Sequence, residues 1–310
     1  MKTVERARKL TVRVPATTAN LGPGFDCLGL ALDWWNTVRV EPIERGLKVE
    51  CRCSPDTRLP CDGHNLVIRA MRTISRRAGR RLPPIKVWLD CQIPVGRGLG
   101  SSAAAIVAGL VAGNVLLGEG LTQNELLQLA ARIEGHPDNV APALLGGLVI
   151  AIQDGRELRT ARSPFPRDLD CVLFIPKRTL STKAARRVLP ARVPRADAVY
   201  NAGRVALWIA ALHERRWEWL DWATRDRLHQ PYRGRLVRGM EQLFAAARRA
   251  GARGVALSGA GPSLVAFTDR ESQAVAAAMA GTAARLCIAG EARIVKASTR
   301  GAYATARGFD

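Results

Sequence analysis

Between residues 94 and 104 the chain reads Pro94-Val-Gly-Arg-Gly-Leu-Gly-Ser-Ser-Ala-Ala104. Gly96, Gly98 and Gly100 let the backbone come close to a ligand. The string joins a strand pattern to a helix pattern, so it ends on free amide groups at the positive end of a helix dipole. Such a place suits an anion, most often a phosphate; the alternative is a plain tight turn. Two familiar phosphate loops do not match. A Walker A loop needs Gly-Lys-Ser/Thr, and here Gly100 is followed by Ser101. A dinucleotide fingerprint counted from Gly96 would need glycine where Ser101 stands.

The elements that must hold this loop can be read from the apolar spacing. Ile85, Val87, Leu89 and Cys91 share one face of a period-two segment, which predicts a strand over 85–91, and a small-residue helix is expected over 103–117. Further strands are predicted at 10–14, 38–43, 47–51, 171–175, 254–257, 264–268 and 292–297. Helices are predicted at 122–133, opened by the capping box Thr122-x-x-Glu125, and at 200–222, 235–250 and 271–286. A second small-residue apolar stretch covers 140–152. The polar, proline-containing segment 154–166 reads as a domain boundary, dividing 1–165 from 166–310. Strands and helices in this irregular order indicate an α+β fold.

Composition limits the partners. The 310 residues are 47% hydrophobic and 24% charged, ordinary for a globular chain with enough apolar surface to fold. The net charge of +20 invites a nucleic-acid reading. Yet 40 of the 47 basic residues are Arg, scattered along the chain without a block of five or six, and aromatic residues are only 5%. Neither a basic arm nor a base-stacking pattern results, so nucleic acid is not the expected partner. The segment 1–9 is charged rather than apolar, unlike a signal peptide, and the longest apolar run, 103–117, is shorter than a membrane span. Seven cysteines without Cys-x-x-Cys spacing argue against a zinc site and for a reducing, cytoplasmic setting, with Cys91 and Cys171 read as core.

The string Gly98-Leu-Gly-Ser-Ser-Ala-Ala104 resembles the signature of the GHMP kinase superfamily. Pro15-Ala-Thr-Thr-Ala-Asn-Leu-Gly-Pro-Gly-Phe-Asp26 resembles its N-terminal substrate motif, and Ser258-Gly-Ala-Gly-Pro-Ser263 its C-terminal Gly-rich motif. Asn20 to Asp26 together with Glu134-Gly-His-Pro-Asp-Asn-Val-Ala-Pro-Ala143 is similar to the homoserine-phosphorylating branch. The resemblance implies transfer of a phosphoryl group from ATP to the hydroxyl of L-homoserine, a step of threonine biosynthesis. It implies an N-terminal domain like ribosomal protein S5 domain 2 and a ferredoxin-like C-terminal domain, with the active site between them. Homodimers are usual in the family.

By the same resemblance, ATP is held by Pro94, Val95, Gly96, Arg97, Gly98, Leu99, Gly100, Ser101, Ser102, Ala103 and Ala104, with Ser258, Gly259 and Gly261 packed against that loop. Asn65 would contact the base, unless it is a turn or helix-capping residue. Ser102 and Glu134 match the family's Mg²⁺ ligands, an arrangement of one hydroxyl and one carboxylate that suits a hard cation keeping several waters. Glu134 lies only four residues before Asp138, where some members carry a longer insertion. Asn20, Asp26, His136 and Asp138 form the amino and hydroxyl side of the substrate site, and Thr182, Arg186 and Arg233 the carboxylate side, where a guanidinium can bind bidentately. Asp138 and Asn139 complete the catalytic group with Ser102 and Glu134. Some members carry aspartate where Asn139 stands; an amide accepts no proton near neutral pH, so a mechanism without a dedicated strong base is implied. His64, His213 and His229 read as surface or structural. Another GHMP kinase, or a basic nucleic-acid-binding protein, remains the alternative.

Overall fold

Burial in every second residue organises the strands around the loop: Val12 and Val14 in one segment, Ile85, Val87 and Leu89 in another, are all buried. The computed structural model describes residues 9–54, 57–155 and 157–307; residues 1–8 of the charged N-terminal segment lie outside them. In chain order the first elements are β1 (Lys9–Ala19), β2 (Leu28–Pro42), β3 (Leu47–Arg52), α1 (Leu66–Arg77) and β4 (Ile85–Asp90). Then follow α2 (Ser101–Leu117), α3 (Gln123–Glu134), α4 (Pro137–Leu145), β5 (Leu148–Asp154), β6 (Glu157–Ser163) and β7 (Asp170–Pro176). Next come α5 (Thr182–Arg187), α6 (Arg195–His213), α7 (Leu220–Ala223), α8 (Gln230–Arg233) and α9 (Met240–Arg249). The chain closes with β8 (Gly254–Leu257), β9 (Leu264–Thr268), α10 (Ser272–Arg285), β10 (Gly290–Val295) and β11 (Tyr303–Arg307).

Two sheets result. The larger runs β11-β1-β2-β4-β3, with β5 paired to β2 and to β6; the smaller runs β10-β7-β9-β8 and is antiparallel throughout. Numbered within the smaller sheet, that order is 4-1-3-2, the ferredoxin-like arrangement, with α9 and α10 packed together over it. In the larger unit α2 lies against β1, and α4 against β1, β2 and β5. The last strand, β11, returns to the larger sheet beside β1.

The expected strands at 254–257 and 264–268 and the capping box at Thr122 and Glu125 are present as read. Two stretches resolve into elements, and two expected helices are corrected. The stretch 140–152 divides into α4 and β5, because Gly146 and Gly147 both take positive φ and turn the chain. The polar segment 154–166 contains β6, a hairpin partner of β5 that buries only Leu158 and so leaves no apolar pattern. The helix at 200–222 starts earlier, at Arg195, and stops at His213; Arg215, at φ 56°, separates it from α7. The helix at 235–250 begins only at Met240, after a 3-10 turn over 234–236. No pattern had signalled α1 or β11.

Candidate active site

β1 leads into a tight loop at residues 20–26 in which Asn20, Leu21 and Asp26 all adopt positive φ. Asn20 holds this loop together: its Oδ1 accepts from the Asp26 amide at 3.0 Å, and its Nδ2 donates to the Gly259 carbonyl at 2.9 Å. Across from it, residues 94–100 form the Gly-rich loop, and α2 starts at Ser101 behind an N-cap, Gly100, that supplies no side-chain bond. The first turn of α2 therefore keeps its amides uncapped by any side chain, as an anion site requires. The 258–263 turn is wedged against this loop. Ser258 Oγ donates to the Gly98 carbonyl at 2.7 Å and pairs with Thr18 Oγ1 at 2.9 Å, and a Cβ on Gly98 would meet the Ser258 carbonyl at 2.3 Å.

These loops enclose a cleft lined by Asn20, Asp26, Gly96, the stretch 98–102, Glu134, His136, Asp138, Asn139, Thr182, Arg186, Arg233 and the 259–261 turn, together with Leu180. Ser102 does not cap its helix; its Oγ donates to Glu134 Oε2 at 2.8 Å. Burial pushes the Glu134 carboxyl above its ordinary range, against the Ser102 hydrogen bond and His136, which favour its ionised form. His136 Nδ1 donates to Asp138 Oδ1. Burial draws the His136 imidazole down, but that hydrogen bond and the Asp138 charge outweigh it, so its pKa is raised. Asn139 is fixed from both ends, with Oδ1 accepting from Thr17 Oγ1 at 2.7 Å and Nδ2 donating to Asp138 Oδ1 at 3.3 Å.

On the opposite wall Arg186 and Asp26 form a two-pronged pair, Nη1–Oδ2 2.9 Å and Nη2–Oδ1 2.7 Å. Arg233 is only 1% exposed. Burial, with the nearby Arg186 charge, lowers its guanidinium to about 10. Both guanidiniums lie over the Phe25 ring, at 5.5 and 5.1 Å. Asp26, His136 and Asp138 present oxygen and nitrogen atoms within 4.8 Å of one another. One cleft thus offers uncapped helix amides, a hydroxyl–carboxylate pair, and carboxylates and guanidiniums together in its lining.

The comparisons with known proteins agree with this geometry. Residues 65–147 match the GHMP kinases N terminal domain and residues 208–284 the GHMP kinases C terminal domain. Homoserine kinase of Carboxydothermus hydrogenoformans is 44% identical over 291 residues, covering 94% of this chain and 95% of the relative. This chain belongs to the homoserine kinase family of GHMP kinases. Homoserine kinase of Deinococcus radiodurans is 47% identical over 264 residues, 85% of this chain and 86% of that protein. The crystal structure of homoserine kinase from Cytophaga hutchinsonii superposes with a TM-score of 0.87 at 30% identity, covering 98% and 99% of the two chains. A mevalonate kinase from L. major, at 17% identity and a TM-score of 0.73, shares the fold.

Not every residue expected at the site of this GHMP kinase reaches the cleft. Asn65 does not line it. Its Oδ1 accepts from the Val67 amide, capping α1, and its Nδ2 donates to the Pro60 carbonyl at 2.8 Å. Ala103 and Ala104 are buried in the core beneath the loop, and Ser258 is fully buried behind it. Pro94, Val95 and Arg97 line a second, adjoining cleft with Trp34, Ile175, Lys177 and Arg293. Sequence reasoning passed over Thr17, which buttresses Asn139, and left His229 undifferentiated between surface and structure; it is fully buried. The motif around Thr17 was in view, but a threonine's partner 122 residues away carries no local signal.

Proposed function

We propose that this enzyme transfers the γ-phosphoryl group of ATP to the side-chain hydroxyl of L-homoserine, giving ADP and O-phospho-L-homoserine in threonine biosynthesis. The observation that carries the reading is the cleft of mixed charge beside the Gly-rich loop. A zwitterion needs carboxylates for its ammonium and guanidiniums for its carboxylate, and Asp26, Asp138, Arg186 and Arg233 all line that cleft. Asp26 and Arg186 pair with each other in that cleft, an anion and a guanidinium of the kinds a zwitterion's two ends would engage.

The phosphates are assigned to the loop 96–102, whose amides and helix dipole favour negative charge. The nucleoside is assigned to the second cleft, which shares Pro94, Val95 and Arg97 with the loop. The donor set of Ser102 Oγ and Glu134 Oε2 consists of hard oxygens and fits Mg²⁺. Bound with ATP there, Mg²⁺ would neutralise phosphate charge during transfer. Positioning is the main task of the protein's own groups. His136 and Asp138 hold the substrate's hydroxyl end, and Asn139, pinned by Thr17, fixes Asp138 without accepting a proton itself. The hydroxyl proton leaves late, to the transferred phosphate or to water. We divide the chain into 1–165, carrying the phosphate loop, and 166–310, which brings the two arginines. Seven free cysteines suit a reducing, cytoplasmic setting.

The test is an ADP-release assay with Mg²⁺-ATP comparing homoserine, serine, threonine, mevalonate and galactose. Homoserine is expected to support turnover far above the others. A folded sample that forms no ADP with homoserine would overturn the reading. A response to mevalonate or galactose instead would assign the same fold to a different alcohol. Salt-dependent binding to nucleic acid without turnover would support the basic-protein alternative.

A further inference from the structure

His229 is 0% exposed and does not line the cleft, yet it touches both the 20–26 loop and Arg233. Its Nε2 is 2.7 Å from the Gly22 carbonyl, in the 20–26 loop. A carbonyl can only accept, so Nε2 carries the hydrogen. That leaves Nδ1 as the bare nitrogen, and Nδ1 is 3.2 Å from Arg233 Nη1, which can only donate. The two fixed partners therefore select one tautomer of the neutral ring. The ring is itself clamped: it stacks on Phe25 at 5.3 Å, and Asp226 Oδ2 accepts from the His229 amide at 3.0 Å.

Arg233 has its other inner donors occupied as well. Nε donates to the Ala185 carbonyl at 3.2 Å, and Nη1 is also 3.2 Å from the Gly259 carbonyl. Every one of these contacts is made through Nε or Nη1, so the guanidinium edge left for a ligand is Nη2, on a residue that lines the cleft. Resting on the reading of Arg233 as a holder of the substrate carboxylate, we propose that His229 is the positioning residue that fixes Arg233, its Nδ1 acceptor orienting the guanidinium and its Nε2–H tying that arginine to the 20–26 loop.

Two near-isosteric variants separate the two ends of the ring. In His229→Asn the amide oxygen takes the place of Nδ1 and keeps an acceptor for Arg233. In His229→Gln the amide nitrogen can reach the place of Nε2 and keeps the donor to Gly22, while the acceptor at Nδ1 is lost. The experiment measures KM and kcat for homoserine, KM for Mg²⁺-ATP, and KM for homoserine amide, which lacks the carboxylate, after thermal melting has established that each variant is folded. His229→Gln is expected to raise the homoserine KM about tenfold or more, the scale of a lost hydrogen bond to a charged group, and His229→Asn to raise it much less. Neither should alter the amide's KM. Equal losses in both variants, or equal losses for homoserine and its amide, would show that the ring only fills space and would overturn the proposal. Arg233→Gln is the companion arm. If it leaves the homoserine KM unchanged, the assignment of the substrate carboxylate fails, and the role of His229 with it; if it raises KM while His229→Gln does not, only the role of His229 fails.

Discussion

Gly100→Ala tests how the phosphate loop is held. Gly100 has φ +69°, and a Cβ there would lie 1.9 Å from Thr17 Oγ1 and 3.2 Å from Asn139 Oδ1. Two costs follow. The left-handed backbone costs an alanine about 1–2 kcal/mol relative to glycine. The Thr17 hydroxyl must also swing away, which breaks its 2.7 Å bond to Asn139 Oδ1. That leaves a buried amide oxygen without a donor, a further penalty of about 1–3 kcal/mol. The sum, about 2–5 kcal/mol, is a large part of the stability of an ordinary domain but leaves it folded.

A control lies at the other end of the same helix. Gly118 has φ +63° and nothing within 4 Å of its would-be Cβ, so Gly118→Ala isolates the backbone term. Thr17→Ala orphans the same Asn139 oxygen as Gly100→Ala, so the double variant counts that loss once, and the pair should be less than additive by about 1–3 kcal/mol. Urea unfolding of the unmodified protein and the four variants gives these differences, and ADP release should show kcat/KM for ATP falling in Gly100→Ala and not in Gly118→Ala. If Gly100→Ala is no less stable than Gly118→Ala, or if Thr17→Ala adds its full effect to it, the steric account of the loop is refuted.

Glu134→Gln should abolish divalent-metal-dependent turnover yet raise the melting temperature of the metal-free protein at pH 7. Burial disfavours the ionised carboxyl, and the neutral amide removes that penalty. Arg186→Lys loses a planar two-pronged donor and should raise the homoserine KM about tenfold, with the ATP KM unmoved; an unchanged homoserine KM would remove Arg186 from the substrate site. Asp138→Asn should raise the homoserine KM more than it lowers kcat, whereas loss of kcat alone would identify Asp138 as a base. Burial holds the His229 imidazole below its ordinary value, with Asp226 and Asp26 opposing and Arg233 reinforcing the shift. The unfolded chain then takes up a proton that the folded state refuses, so stability falls as pH drops through about 6.5. Urea midpoints at pH 7.5, 6.5 and 5.5 should show a shallower acid-side loss in His229→Asn than in the unmodified protein.

What the sequence made legible was whatever is local. Ile85, Val87 and Leu89 alternate in burial because a pleat has a period of two, and the Thr122–Glu125 box is four residues long. The Gly-rich strings were readable for the same reason: each is a contiguous solution to a backbone problem. β11 was not legible, since Tyr303 to Arg307 carries little apolar pattern and owes its strand to pairing with β1, nearly 300 residues away. β6 is an edge strand with one buried side chain. The site divides along the same line. Residues inside motifs were found; Asn65 caps α1 and lies off the cleft, Thr17 meets a partner 122 residues away that no spacing rule reaches, and His229, though one helical turn from Arg233, is tied to Gly22 at a separation of 207 residues.

The net charge of +20 has a different meaning once the cleft is described. Its charged lining is two guanidiniums, Arg186 and Arg233, against three carboxylates, Asp26, Glu134 and Asp138, with His136 between them. That is a site of nearly balanced charge, in which the net positive charge of the whole chain is not concentrated. Elsewhere several arginines sit over aromatic rings: Arg13 on Trp35, Arg204 on Tyr200, Arg293 on Trp34, Arg300 on Tyr303. Others pair with carboxylates, as Arg253 does with Asp269 and Arg248 with Asp221. A guanidinium stacks on a ring and forks onto a carboxylate in ways an ammonium cannot, so the excess of arginine over lysine has packing work distributed over the whole surface. The long-range field still favours the approach of ATP, but it carries no information about the acceptor. That information resides in the paired charges of the cleft, where Asp26 and Arg186 hold each other through two hydrogen bonds.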